Sequence, residues 1–165
     1  MPLVKTGVVI ADPFVAVADD APLPDAPALV SAARLLAEGE ALLAHAHPVG
    51  VIWPNSKDVL ELAPFIGRLA LVALVFPKFR DGRAYTQARL LRERLGFTGE
   101  LRATGNVLRD QFLLMVRCGF DALDVAKDSD AAAVEKELHT YSVFYQPTGD
   151  GRPTPLRARL GARPA

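Results

Sequence analysis

The sequence holds one cysteine, Cys118, among its 165 residues. A lone thiol excludes an internal disulfide, and it excludes an iron–sulfur cluster or structural zinc site built from several thiolates of this chain. A cytoplasmic location is therefore expected. Residues 1–5 lack an apolar stretch followed by a small-residue cleavage site, so no signal peptide is expected at the start. Long hydrophobic runs are also missing. The most apolar segment, residues 69–76, is eight residues long, against the ~20 that a membrane helix needs. Net charge is absent too: 19 Lys and Arg balance 19 Asp and Glu. That balance argues against a general nucleic-acid or membrane-surface binder. The motifs G-x-G-x-x-G, G-x-x-x-x-G-K-[ST], G-x-S-x-G and C-x-x-C do not occur, which removes the usual support for nucleotide, hydride and serine-hydrolase chemistry. Of the three histidines, His45 and His47 lie two apart near a predicted helix end, where they diverge, and His139 is distant. No metal site is expected.

What the chain does have is apolar periodicity. Half its residues are hydrophobic, and its length suits one domain with a sizeable core. Residues 8–17 contain two short apolar runs split by Asp12-Pro13 and read as a hairpin or a pair of edge strands. Residues 28–45 read as a helix with Val30, Ala33, Leu36 and Ala37 on one face, interrupted at Gly39. From Val49 the pattern becomes regular. A strand at 49–53 precedes a helix capped by Asn55 or Ser56 and running to Ile66, with Val59, Leu62, Ala63 and Ile66 inward and Pro64 distorting its last turn. Residues 69–76 are apolar at every position, as in a strand covered on both faces. A helix over 81–95 turns Ala84, Ala88, Leu91 and Leu95 inward and stops at Gly96. A strand at 100–104 leads to a helix capped by Asn106 and ending at Cys118. A strand at 120–125 and a helix at 129–142, with Val134, Leu138 and Tyr141 inward, complete the series.

This alternation predicts a single α/β domain over residues 1–147, with its core in 49–145. It would contain a parallel sheet of about four βα units, as an open sheet or a partial barrel, plus an N-terminal hairpin. Residues 148–165 read as a flexible, Arg- and Pro-rich tail.

In such sheets ligands bind at the carboxyl ends of the strands. The chain places cations there: Lys78, Arg80 and Arg83 after one strand, Arg109 after the next, and Lys127 after the last. Lys78, Arg80, Arg83, Asn106 and Arg109 are the predicted anion-binding residues, suited to sulfite, sulfate, phosphate, a carboxylate or an acidic partner surface. Asp81, Asp110 and Lys78, with Asp124, are the candidates for acid–base catalysis if the protein is an enzyme. Each feature also has a plainer reading, since Asn106 can be a cap alone and Arg80 and Asp81 a local pair. Arg89, Arg92 and Arg94 read as a solvated helix face. Cys118 lies at a helix carboxyl end, which disfavours its thiolate, and reads as a structural thiol.

Several blocks carry a resemblance. Phe76-Pro77-Lys78-Phe79-Arg80-Asp81-Gly82-Arg83, Ala88-Arg89-Leu90-Leu91-Arg92, Gly99-Glu100-Leu101-Arg102-Ala103, Val107-Leu108-Arg109-Asp110-Gln111 and Arg117-Cys118-Gly119-Phe120 occur in order. Together they resemble the bacterial domain-of-unknown-function family 934, whose label names an oxidoreductase of sulfite reduction. The resemblance is close over residues 49–125 and loose before them. Where that family commonly has Gly-Asp before Val-Leu-Arg-Asp-Gln, this chain has Gly105-Asn106, which keeps the cap but removes a carboxylate. The resemblance implies an accessory role in assimilatory sulfite or nitrite reduction. The expected partners are sulfite reductase components and a small oxyanion, with a further copy of the chain as another. No residue pattern indicates flavin, nicotinamide, siroheme or cluster ligation, so no cofactor is expected. A third reading is a pure interaction module that docks on sulfite reductase through Phe79, Tyr85 and Phe112.

Overall fold

The wholly apolar run becomes the middle of a sheet, because only there are both faces of a strand covered. The computed structural model describes residues 2–5, 7–148, 152 and 154–161. Its strands are β1 (Leu3–Lys5), β2 (Val8–Ile10), β3 (Val15–Ala16), β4 (Ala28–Ser31), β5 (Val49–Trp53), β6 (Leu71–Phe76), β7 (Glu100–Gly105) and β8 (Ala122–Asp124). Its helices are α1 (Ala32–Leu43), α2 (Arg83–Arg89), α3 (Phe112–Arg117), α4 (Asp128–Leu138) and α5 (Pro155–Gly161). The strands form one eight-stranded sheet, ordered β2-β1-β8-β7-β6-β5-β4-β3.

The sheet is mixed, where a parallel sheet of about four βα units was expected. Strands β3 to β8 are parallel, each beside its neighbours in sequence. Strand β1 runs antiparallel to both β2 and β8. A β1–β2 hairpin is therefore present, but its first arm is a three-residue strand too short to register in the sequence. The two apolar runs of residues 8–17 do not pair with each other: β2 and β3 lie at opposite edges of the sheet.

That placement fixes the shape. Four residues separate Ile10 from Val15, and an extended connection of that length spans at most about 18 Å. Eight flat strands would hold their outer edges ~34 Å apart. The sheet must curl to bring its edges within reach, and it forms a half-barrel. Because consecutive parallel strands are neighbours and their crossovers share one hand, the helices gather on one face. The main core lies under them, around Trp53, Phe76, Leu91, Phe112 and Met115. The opposite face carries a small cluster of Leu29, Leu71 and Ala73, covered by Phe14 and Ile52.

Residues 28–45 are not one helix. Ala28–Ser31 pair with β3 and β5 as a buried strand, and Ser31 then caps α1 by accepting from Arg34 N at 3.1 Å. The buried side chains of α1 are Ala32, Arg34, Leu35 and Leu42, while Ala33, Leu36 and Ala37 face outward. The break at Gly39 is present, with φ of 46°. The helix expected to run to Ile66 is a single 3-10 turn, Val59–Leu62, capped by Asp58. It still buries Val59 and Leu62. Helix α2 continues into a π-helical turn, Leu90–Arg94, and α3 begins at Phe112 rather than after Asn106. Tyr141, expected inward, is 62% exposed because α4 ends at Leu138.

After α4 the chain is held by Phe144, whose ring lies between Arg117 at 4.1 Å and Arg152 at 5.2 Å. The expected flexible tail falls partly at residues 149–151, 153 and 162–165, outside the described residues. Within it Pro155–Gly161 is helical and buries no residue. Among the described residues no helix is long and apolar enough to cross a membrane.

Candidate functional site

The parallel strands deliver three loops to one end of the half-barrel, and they hold most of the candidate residues. After β6 the chain turns tightly, Asp81 N donating to Lys78 O at 3.0 Å. This turn leaves Lys78, Phe79 and Arg80 projecting and exposed. Neither cation has a hydrogen bond or ion pair among the described residues. Phe79 between them is 54% exposed.

Arg83 is engaged differently. Its Nε and Nη2 donate to the two carboxylate oxygens of Asp81 at 2.9 and 2.7 Å, and Nη2 also reaches Asn55 Oδ1 at 3.4 Å. The Arg83 guanidinium, helped by Asn55, holds the Asp81 carboxyl well below the ordinary carboxylate range. Asp81 in turn pushes the Arg83 pKa up. A carboxylate kept ionised in this way cannot serve as a general acid near neutral pH. Asn55 does not cap a helix; it is buried and ties the β5 exit to the start of α2. Gln87 does the same from one turn further on, donating to Pro54 O at 3.2 Å and Lys57 O at 2.9 Å. Nothing local in the sequence marks Gln87, because its partners are backbone carbonyls thirty residues earlier.

Gly105, the last residue of β7, has φ of 92°, and a Cβ there would sit 2.5 Å from Phe76 O. This close approach lets Asn106 N donate to Phe76 O at 2.7 Å. Asn106 is exposed, and Val107 and Leu108 separate it from the 3-10 turn, Arg109–Gln111, that leads into α3, so it caps no helix. Arg109 donates to Glu137 of α4 at 2.9 Å. Asp110 is exposed, and no hydrogen bond or ion pair among the described residues links Lys78, Asp81, Asp110 and Asp124 to one another. Asp124 accepts from Thr104 Oγ1 at 3.2 Å instead. Of the apolar trio Phe79, Tyr85 and Phe112, only Phe79 is a surface group, since Phe112 is fully buried. Tyr85 is half-buried, its ring edge-on to Phe76 at 5.0 Å. Burial, then the neighbouring Cys118 and Asp110, push its pKa up to about 12.

Cys118 is half-buried at the end of α3, and burial pushes its thiol up against the opposing pull of Arg89 and Arg117. His45 Nε2 faces Pro24 O at 3.0 Å and His47 Nε2 faces Asp25 at 2.7 Å, so both pin the loop before β4. No group of three or more metal-ligating side chains occurs among the described residues.

Two features escaped the sequence reading. On the face away from the helices, Arg102 is almost wholly enclosed. It binds Asp12 at 2.7 and 3.0 Å and Glu100 at 2.8 and 3.0 Å, with Lys5 on the far oxygen of Glu100 at 2.8 Å. The second is a cavity of about 490 Å³ at the strand-entry end, between β1, β8, α3 and α4.

No curated protein and no solved structure matches the chain. Residues 50–156, from within β5 to the start of α5, match the family described as "Bacterial protein of unknown function (DUF934)", and the chain belongs to that family.

Proposed function

We propose that this protein is a non-catalytic accessory of assimilatory sulfite or nitrite reduction that docks on an acidic surface of the reductase apparatus through its strand-exit loops. One observation carries the docking mode: Lys78 and Arg80, unpaired among the described residues, project on either side of an exposed Phe79. A protruding aromatic flanked by cations is the kind of anchor that interfaces favour, with charge steering the encounter. A small oxyanion is the weaker reading, because Arg83 and Arg109 already face the carboxylates of Asp81 and Glu137. An enzyme using Asp81 as its acid–base group is disfavoured by the Arg83 contact. The link to sulfite rests on the motif blocks of residues 76–120.

The test is affinity purification of the tagged full chain from a native host grown on sulfate. A sulfite reductase subunit should co-purify with the wild type, and recovery should fall roughly tenfold or more in Lys78→Glu/Phe79→Ser/Arg80→Glu. Equal recovery with that variant overturns the docking reading. Calorimetric binding of sulfite that is lost in Lys78→Ala/Arg83→Ala would replace it with the small-anion reading.

A further inference from the structure

Phe79 and Arg80 are the two central residues of a four-residue turn, closed where Asp81 N donates to Lys78 O at 3.0 Å. One hydrogen bond on an exposed turn contributes little, because water competes for both groups. The turn is held instead through its last residue. Asp81 accepts from Arg83 Nε and Nη2 on its two carboxylate oxygens, at 2.9 and 2.7 Å, and Oδ1 also faces Arg83 N at 3.4 Å. Paired contacts of this kind fix direction as well as distance.

Arg83 would still swing on its own stem, since its side chain is 59% exposed. Its Nη2, however, also reaches Oδ1 of the buried Asn55 at 3.4 Å. Asn55 belongs to the β5 exit, and Gln87 of α2 grips that same exit at Pro54 O and Lys57 O. The turn is thus referred to two fixed elements, the end of β5 and α2. As a source of stability the network is poor. An exposed ion pair contributes little, and the buried Oε1 of Gln87 has no hydrogen-bond partner among the described residues, which is unfavourable for a carbonyl. Apolar side chains at 55 and 87 would pack β5 on α2 without that penalty. They could not orient a guanidinium.

We infer that Arg83 is the positioning residue of the docking turn: steadied by Asn55, it holds Asp81 and so presents Phe79 and Arg80 in one conformation before a partner arrives. This role presupposes the docking reading above and supplies its geometry. A turn ordered in advance has already lost the freedom that binding would otherwise remove. Where only a fraction of molecules holds the competent form, apparent affinity falls by that fraction. The loss falls on association, because the complex once formed is the same.

Arg83→Lys keeps the charge and removes the fork, and Asn55→Leu removes the support of the fork without altering any charge. Both keep long-range steering intact. In backbone NMR of the full chain, the Phe79 and Arg80 amides should be as ordered as β6 in the wild type. In either variant their order parameters should fall below ~0.6 while those of β5 and β6 stay unchanged. On an immobilised reductase subunit recovered by the affinity purification, both variants should associate roughly tenfold more slowly and dissociate at the wild-type rate. Phe79→Ser, which removes a contact, should instead dissociate faster. A merely structural role would lower the melting temperature and leave these rates, measured well below it, unchanged. Turn amides that stay ordered in both variants, or association at the wild-type rate, overturn the positioning role alone. Binding indifferent to Phe79→Ser overturns the docking reading, and the positioning role with it.

Discussion

Arg102 meets Asp12 through two hydrogen bonds, of 2.7 and 3.0 Å, although ninety residues separate them. The contact fastens the four-residue connection between β2 and β3 across the helix-free face of the sheet. Phe14 follows, its ring 5.8 Å from the same guanidinium and packed over Leu71 and Ala73. Burial disfavours the charge on Arg102, yet the Asp12 and Glu100 carboxylates outweigh it and push the pKa up.

Removing Asp12 leaves a guanidinium 4% exposed with Glu100 as its remaining carboxylate. Asp12→Ala should destabilise the protein by about 1–3 kcal/mol, below the 3–5 expected for a buried ion left wholly unpaired. Urea denaturation would show it as a lower midpoint with little change in slope. An unchanged midpoint would mean that the connection is not held by this pair.

The Asp81–Arg83 pair predicts a pH dependence with a definite sign. The folded-state pKa of Asp81 lies below its ordinary value of 3.8. Its contribution is therefore present above that value and disappears as pH falls through the lower, folded-state pKa. The stability difference between wild type and Asp81→Asn should be constant around neutral pH and shrink in strong acid. A difference that instead grows on acidification would contradict the assignment.

Tyr85 predicts the reverse dependence at the alkaline end. Its pKa moves from 10.0 to about 12, so the neutral phenol is favoured in the fold. Stability from this group is complete below pH ~10 and is lost as pH rises toward ~12. Ultraviolet titration should show a late ionisation step, toward pH ~12, that belongs to Tyr85. Among the described residues the buried Tyr85 hydroxyl has no hydrogen-bond partner. Tyr85→Phe should then remove the last step at little or no cost in stability, because no hydrogen bond is lost.

Gly105 ties β7 to the end of β6 in a conformation that other residues adopt poorly. Gly105→Ala brings both a left-handed φ and a methyl 2.5 Å from Phe76 O. A loss of about 1–3 kcal/mol is expected by thermal or chemical denaturation. A silent substitution would show that the β6–β7 exit relaxes freely.

Strands β5 and β6 were legible as apolar runs between turn residues, β6 showing its central place in having no polar position, while β7 and β8, which carry polar residues, were legible from their place between helical segments. Strands β2 and β3 were legible as a pair of edge strands, but β1 and β4 were not, because three or four residues carry no period and are strands only through their neighbours. Residues 28–45 misled for a related reason: Ala, Leu and Val suit a helix as well as a covered strand, and pairing with β5 decided for the first four. At the exit loops the cations were visible but their neutralisation was not. Arg109 meets Glu137 across 28 residues, and Arg83, beyond its local partner Asp81, meets the Asn55 amide across the same separation. No local pattern encodes such pairs. Lys78 and Arg80 are exposed.

Strand β1 is made before the other strands of the sheet, yet the edge it joins, β8, is made last among them. Until residues 122–124 emerge, β1 can pair only with β2 in their hairpin, while β3 to β7 can already assemble in order. The β1–β2 hairpin is thus the last part of the sheet to find its place, and a chain cut short before β8 would carry it as a two-stranded ribbon with no edge to join.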